Sequence, residues 1–270
     1  MHRLRRDNGI GRSASFGRGD NSGPRMTFCE APALDGELEK DAATSAIAVP
    51  SAQRLVIALV GMVFEARIAA GPCVFVICRN TQAEIAASLE RALQRGCRSI
   101  ISFGVAGGLA PHLRAGDWVV ASSIIDARQD RPTDVTWSQK LARLIPGAHH
   151  APIAGVDAAL TDAAAKRQMH AETGAAAVDM ESHLVARLAE AHGLSFTAAR
   201  VIIDPAHRFV PAAALAALRP DGSASIAAVL RELAAAPSQL LALLRLASDG
   251  YVARGALTRM RGVVGPSFGL

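Results

Sequence analysis

Two carboxylates stand where apolar runs stop. One is Glu181, in Val178-Asp179-Met180-Glu181-Ser182-His183, and the other is Asp204, in Val201-Ile202-Ile203-Asp204-Pro205. Carboxyl groups do acid and base chemistry when their surroundings hold one protonated and another ionised. In open α/β sheets ligands sit beyond the carboxyl ends of strands, so these two places are better site candidates than a helix face. A local reading competes at each: Glu181 caps the helix that follows, and Asp204 starts the turn at Pro205. Two further features fall at strand ends. Glu65 follows Gly61, and Gly104-Val105-Ala106-Gly107-Gly108 follows an apolar run. Glycines at such a junction let backbone N–H groups approach an anion or a sugar. The run lacks the Lys-Ser/Thr of a phosphate-binding loop and the GxGxxG spacing of a dinucleotide site, so a plain tight turn also accounts for it.

These residues need strands to carry them. Folded sequence begins at Arg54–Val60, a buried strand broken by Gly61, and Cys73–Cys78 reads as a second. Thr81 caps a helix to about Arg95, with Ile85, Leu89 and Leu93 on one face and Gly96 as its stop. Ser99–Phe103 is a third strand running into the glycines, and Trp118–Ile125 a fourth, entered through Gly116-Asp117. Residues 126–150 read as a connection with one short helix near Trp137–Leu144. Thr161 caps a helix ending near Gly174, Glu181 to about His192 is amphipathic, and the β-branched run Thr197–Ile203 is a buried strand. After Pro211 only helices are expected, about 211–218, 225–235 and 239–254. Strands alternating with helices imply an α/β fold, three layers α/β/α around a mixed, largely parallel sheet. The expected organisation is a loose arm over residues 1–52 and one catalytic domain over 53–270 with a helical tail.

Composition narrows the function. Of the net charge of +5, the first 25 residues supply +4, from six Arg against Asp7 and Asp20. That Gly/Ser/Arg-rich arm cannot bury apolar surface and is expected to be disordered, with Met26 an alternative start. The remainder shows neither a basic face nor stacking aromatics, which argues against a nucleic-acid partner. Half of the residues are apolar, yet no run of 18 suggests a transmembrane helix and no apolar segment follows the N-terminal arginines as in a secretory signal. Cys29, Cys73, Cys78 and Cys97 lack CxxC or metal-ligand spacing, and Cys73 and Cys78 read as buried thiols of a reducing cytoplasm. His149-His150 and His207 have no partner at metal spacing, so no metal is expected.

The order Val105-Ala106-Gly107-Gly108-Leu109, Gly116-Asp117, Val178-Asp179-Met180-Glu181 and Asp204 resembles the nucleoside phosphorylase/nucleosidase superfamily over roughly residues 54–260. Its pattern is similar to that of methylthioadenosine/S-adenosylhomocysteine nucleosidases. Gly61-Met62-Val63-Phe64-Glu65-Ala66-Arg67-Ile68-Ala69-Ala70 and the tail after Pro237 more closely resemble hopanoid-associated phosphorylases, which act on adenosylhopane. The resemblance implies cleavage of an N-glycosidic bond with release of adenine. Asp204 would protonate purine N7, its pKa raised by Ile202, Ile203 and Pro205. Glu181 would accept hydrogen bonds from ribose hydroxyls, Met180 would pack under the sugar, and Glu65 would activate water, although one residue fewer separates it from Gly61 than in the nucleosidases. A homo-oligomer and a cytoplasmic or membrane-peripheral location are implied as well.

The nucleophile stays open between water and inorganic phosphate as co-substrate. Relatives carry Ser or Thr where Val105 stands, and phosphorylases an Arg where Ser102 stands. Val offers an anion no side-chain hydrogen bond, so phosphate would depend on the backbone of Gly61 and Val105–Gly108, on Ser102, or on Arg67 or Arg79. The apolar segment Leu240–Leu244, followed by Arg245, Arg254, Arg259 and Arg261, is expected to be core or subunit interface. The competing expectation is a basic, apolar tail resting on a membrane to receive a lipid-linked adenosyl substrate. A rival of another class is a non-catalytic nucleoside- or lipid-binding protein on the same fold.

Overall fold

A computed structural model describes residues 54–78, 81–127, 129–217, 219, 223 and 225–270, which lie in one unit, Ser45–Leu270. The expected arm over 1–52, with Met26 and Cys29, lies outside the described residues, as does Arg79. The strands are β1 (Val56–Val60), β2 (Val74–Cys78), β3 (Ser99–Gly108), β4 (Trp118–Ile125), β5 (Asp130–Pro132), β6 (His149–Gly155), β7 (Ala177–Asp179) and β8 (Ser195–Asp204). The helices are α1 (Val63–Ala69), α2 (Gln82–Gln94), α3 (Val135–Leu144), α4 (Ala163–Thr173), α5 (Ser182–His192), α6 (Ala212–Ala217), α7 (Ile226–Ala235) and α8 (Leu240–Val263).

The fold is the expected mixed α/β architecture, built on an eight-stranded sheet ordered β2-β1-β3-β7-β6-β4-β5, with β8 pairing both β3 and β4. Five of the pairings are parallel and three antiparallel. The path β3–β8–β4–β6–β7 returns to β3, so the sheet curls on itself. Period-two alternation then feeds two cores. Ile57, Leu59 and Ile100 point towards Leu89 of α2 and Val185 of α5, while Val56, Ala58 and Phe103 point towards Trp137 of α3 and Leu257 and Met260 of α8. Trp137 Nε1 donates to the Phe268 carbonyl at 2.8 Å, which ties the C-terminus to this second core.

Several local expectations change. The glycine run is not a turn after β3; the strand continues through Gly108, paired with β8 from Ser99 to Gly107 and with β7 at Gly107 and Gly108. The helix after Thr161 is capped by Asp162, whose carboxylate accepts from Ala164 N and Ala165 N at 2.8 Å. The connection 126–150 carries β5 and the start of β6, strands too short or too polar at their start to read from periodicity. The last helix continues past residue 254 to Val263, because Ala253, Ala256, Leu257 and Met260 give it a buried face on the second core. None of α7, and nothing in α8 before Ala253, is buried. Ile226, Leu230, Leu240, Leu241, Leu244, Tyr251 and Val252 are exposed there. Among the described residues no single helix is long and apolar enough to cross a membrane; α7 and α8 meet the length and composition only as a pair bent by 118°.

Candidate active site

Arg200 sits at the centre of the candidate site. It points inward from β8 with no exposed surface, in a run of apolar residues. A guanidinium cannot shed its charge on burial, so it must be matched by anions. Asp179, at the end of β7, lies 2.5 Å from its Nε, and Glu181 Oε2 lies 3.4 Å from Nη2. Nη2 also donates to Ser102 Oγ at 2.5 Å. Ser182, the first residue of α5, gives its backbone N–H to Asp179 Oδ1 at 3.0 Å and its hydroxyl to Oδ2. Asp179 thus serves the helix start and the arginine together. Glu181 occupies the N-cap position but its side chain makes no cap bond. It turns instead towards Arg200 and Gly61, where a Cβ would fall 2.8 Å from its Oε1. That rules out the local capping reading of this residue.

Glu65 reaches the same cluster from α1 despite the shortened spacing after Gly61. Its Oε2 accepts from Gly61 N and Met62 N at 2.9 Å each, and Oε1 accepts from Val105 N at 2.7 Å. Burial pushes its pKa up to about 7 from 4.5; Arg200 pulls the other way, while Glu181 adds to the rise. A carboxyl poised there can take or hold a proton near neutral pH. Gly104 makes the approach possible. Its φ is +153°, and a Cβ would fall 2.3 Å from Glu65 Oε1 and 2.7 Å from Arg200 Nη1.

Asp204 ends β8. The β3–β8 register passes from Ala106↔Ile202 to Gly107↔Asp204, leaving Ile203 as an extra residue that re-aims the strand end. Both carboxylate oxygens then lie 3.3–3.4 Å from where a Cβ on Gly107 would stand. Burial raises its pKa as expected, opposed by Lys166. Lys166, from α4, has no exposed surface, and its Nζ lies 2.5 Å from Asp204 Oδ2. The same ammonium donates to the carbonyls of Asp204 (3.2 Å), Pro205 (3.3 Å) and Arg208 (3.2 Å). Gly104 and Gly107, the glycines these two carboxyls approach, lie three residues apart on β3, about 10 Å along the strand axis.

The structure therefore brings Glu65 and Glu181 together around Arg200, places Asp204 beside Gly107 further along β3, and leaves Met180 half-buried between β7 and α5. It moves the expected anion contacts. The N–H groups of Gly61 and Val105 are taken by Glu65. Ala106, Gly107 and Gly108 are ladder residues of β3, and Ser102 is fully buried beneath Arg200. Arg67 is exposed on α1. The arginine that meets the carboxylates is Arg200, which the sequence reading missed, together with Lys166. Arg200 had one legible signal, a charge inside a buried strand four residues before Asp204; Lys166 looked like any helix-surface lysine.

Relatives of known structure share this fold. Futalosine hydrolase of Helicobacter pylori aligns with TM-score 0.55 and 14% identity, covering 78% of this chain and 97% of that one. The 5′-methylthioadenosine/S-adenosyl homocysteine nucleosidase of the same organism gives 0.53 and 15%, over 77% and 97%. The Campylobacter jejuni nucleosidase gives 0.51 and 14%, over 76% and 99%. No curated protein matches significantly. The model of the phosphorylase superfamily matches residues 32–244, most of the chain. The chain belongs to the phosphorylase superfamily and is an enzyme of the nucleoside phosphorylase/nucleosidase type.

Proposed function

We propose that this enzyme cleaves the N-glycosidic bond of an adenosyl-linked substrate, with water as the attacking group. The observation that carries the reading is that two buried carboxyls, Glu65 and Asp204, each close on a glycine of β3, Gly104 and Gly107, where burial raises the pKa of both. Breaking the bond leaves positive charge on the ribose and negative charge on the departing purine. Asp204 gives its proton to purine N7, Glu65 takes a proton from water at the sugar carbon, and Glu181 receives the ribose hydroxyls, with Met180 against the sugar face. Water is favoured over phosphate by charge. Among the described residues the cluster sets one cation, Arg200, against Glu65, Asp179 and Glu181, which leaves no net positive charge for a phosphate anion. The names of the structural relatives, a hydrolase and nucleosidases, point the same way. Asp204→Asn and Glu65→Gln are each expected to cut adenine release by at least 100-fold; full activity in either variant defeats the assignment.

The substrate proposed is lipid-linked, adenosylhopane by resemblance, and the exposed apolar face of α7 and α8 favours it over methylthioadenosine. α8 lies beside the acid: Arg208, four residues past Asp204, pairs with Asp249 of α8 at 3.0 Å, and Gly250 sits against Ile203. Exposed Arg231, Arg245, Arg254 and Arg259 flank the apolar stripe, a pattern that suits an anionic lipid surface.

A further inference from the structure

Asp204 needs more than a dry environment to act as an acid. When it gives up its proton, a carboxylate forms in a site that disfavours charge, so burial alone makes it a reluctant donor. Something must receive the charge as it develops. Lys166 is the group placed to do so. It comes from α4, a different element, and reaches Asp204 through the interior without exposed surface. Among the described residues every partner of its Nζ is an acceptor: Asp204 Oδ2 at 2.5 Å and the carbonyls of Asp204, Pro205 and Arg208 at 3.2–3.3 Å. Such a cage suits an ammonium, which has three protons to donate and none to receive. It also fixes the turn after β8 and binds only one of the two carboxyl oxygens, leaving Oδ1 for the base.

We propose that Lys166 is the positioning residue of the acid step. It holds Asp204 by Oδ2 and takes up the negative charge that forms when Oδ1–H is transferred to the departing purine. The proton moves from Asp204 to purine N7 as the glycosidic electron pair leaves with the base. Asp204 becomes the carboxylate of a Lys166 ion pair, and the water proton goes to Glu65. Lys166 does not itself touch the substrate. Among the described residues the other charge acting on Asp204 is Asp249 of α8, whose carboxylate is paired with Arg208 at 3.0 Å. The inference rests on the reading of Asp204 as the purine acid.

The test uses the full-length enzyme and its Lys166→Met, Asp204→Asn and doubly substituted forms, each first checked for folding by circular dichroism and thermal unfolding. Removing the ammonium lets burial act unopposed, so the alkaline limb of kcat/KM for adenine release moves up by about 1–3 pH units. At neutral pH kcat falls more than tenfold. Adding Lys166→Met to Asp204→Asn costs less than threefold further, because the lysine acts only through the acid. An unmoved limb, or losses that multiply in the double variant, overturns the proposal. Carboxyl carbon-13 titration of Asp204 gives a readout independent of turnover, and its midpoint rises in folded Lys166→Met. If that rise occurs while the wild-type enzyme releases no base from any adenosyl compound, the proposed function fails and the charge coupling stands. Base release with an unmoved Asp204 midpoint fails the coupling alone.

Discussion

Gly104→Ala is the smallest change that bears on the whole site. A Cβ there would fall 2.3 Å from Glu65 Oε1, 2.6 Å from its Cδ and 2.7 Å from Arg200 Nη1. Ordinary contact needs about 3.5 Å, so the carboxyl must retreat by about 1 Å. It is not free to do so, because three backbone N–H groups hold it. The φ of +153° adds backbone strain that glycine alone avoids. Displacing a base by about 1 Å costs roughly 100-fold in rate. Overpacking adds about 1–3 kcal/mol of instability, or roughly 2–4 °C in Tm per kcal/mol for a domain of this size. Adenine release and thermal unfolding measured together separate the two effects. The expected outcome is a folded protein, a few degrees less stable, with kcat/KM down about 100-fold. A variant within threefold of the parent would refute the placement of Glu65 beside the reacting atoms.

Other outcomes follow from the same geometry. Glu65 must be ionised to take a proton from water, and burial sets its pKa at about 7; kcat/KM therefore falls as pH drops below about 7, and Glu65→Gln abolishes that limb together with the activity. Arg200→Met leaves Asp179 and Glu181 buried without their cation, which costs about 3–5 kcal/mol in thermal or urea unfolding. It also removes the charge that lowers the Glu65 pKa, so any residual activity has its acid limb at higher pH. Replacing Leu240, Leu241 and Leu244 together by Ser, all exposed, leaves stability nearly unchanged and reduces flotation with anionic liposomes at least fivefold; equal flotation of parent and variant removes the lipid-surface reading.

The sequence made the strands that carry the site legible because they are long and apolar. β1, β3, β4 and β8 buried both faces, and the carboxylates at their ends stood out against them. Asp204 could be singled out for that reason, whereas Glu181 follows the three-residue β7 and was marked only by the short apolar run before it. What escaped depended on pairing between distant segments. Gly104–Gly108 looks like a turn until β8 is laid beside it, and only then is it seen that Gly104 must leave room for Glu65 and Gly107 for Asp204. Lys166 could not be read at all: α4 has a weak apolar face, and only the turn after Asp204 turns its lysine into a buried partner. Arg200 was overlooked because a run such as Ala198-Ala199-Arg200-Val201-Ile202 invites attention to its apolar residues.

The central claim is hydrolysis of an adenosyl N-glycosidic bond. The direct measurement is adenine release by the purified enzyme from adenosylhopane, with methylthioadenosine alongside, each with and without phosphate, and with the sugar product identified in ¹⁸O-labelled water. Adenine release from the lipid that is indifferent to phosphate, with ¹⁸O at the sugar C1, is the predicted result. Release only in the presence of phosphate, with a sugar 1-phosphate as product, would contradict the assignment of water, and release from neither substrate would contradict the claim itself.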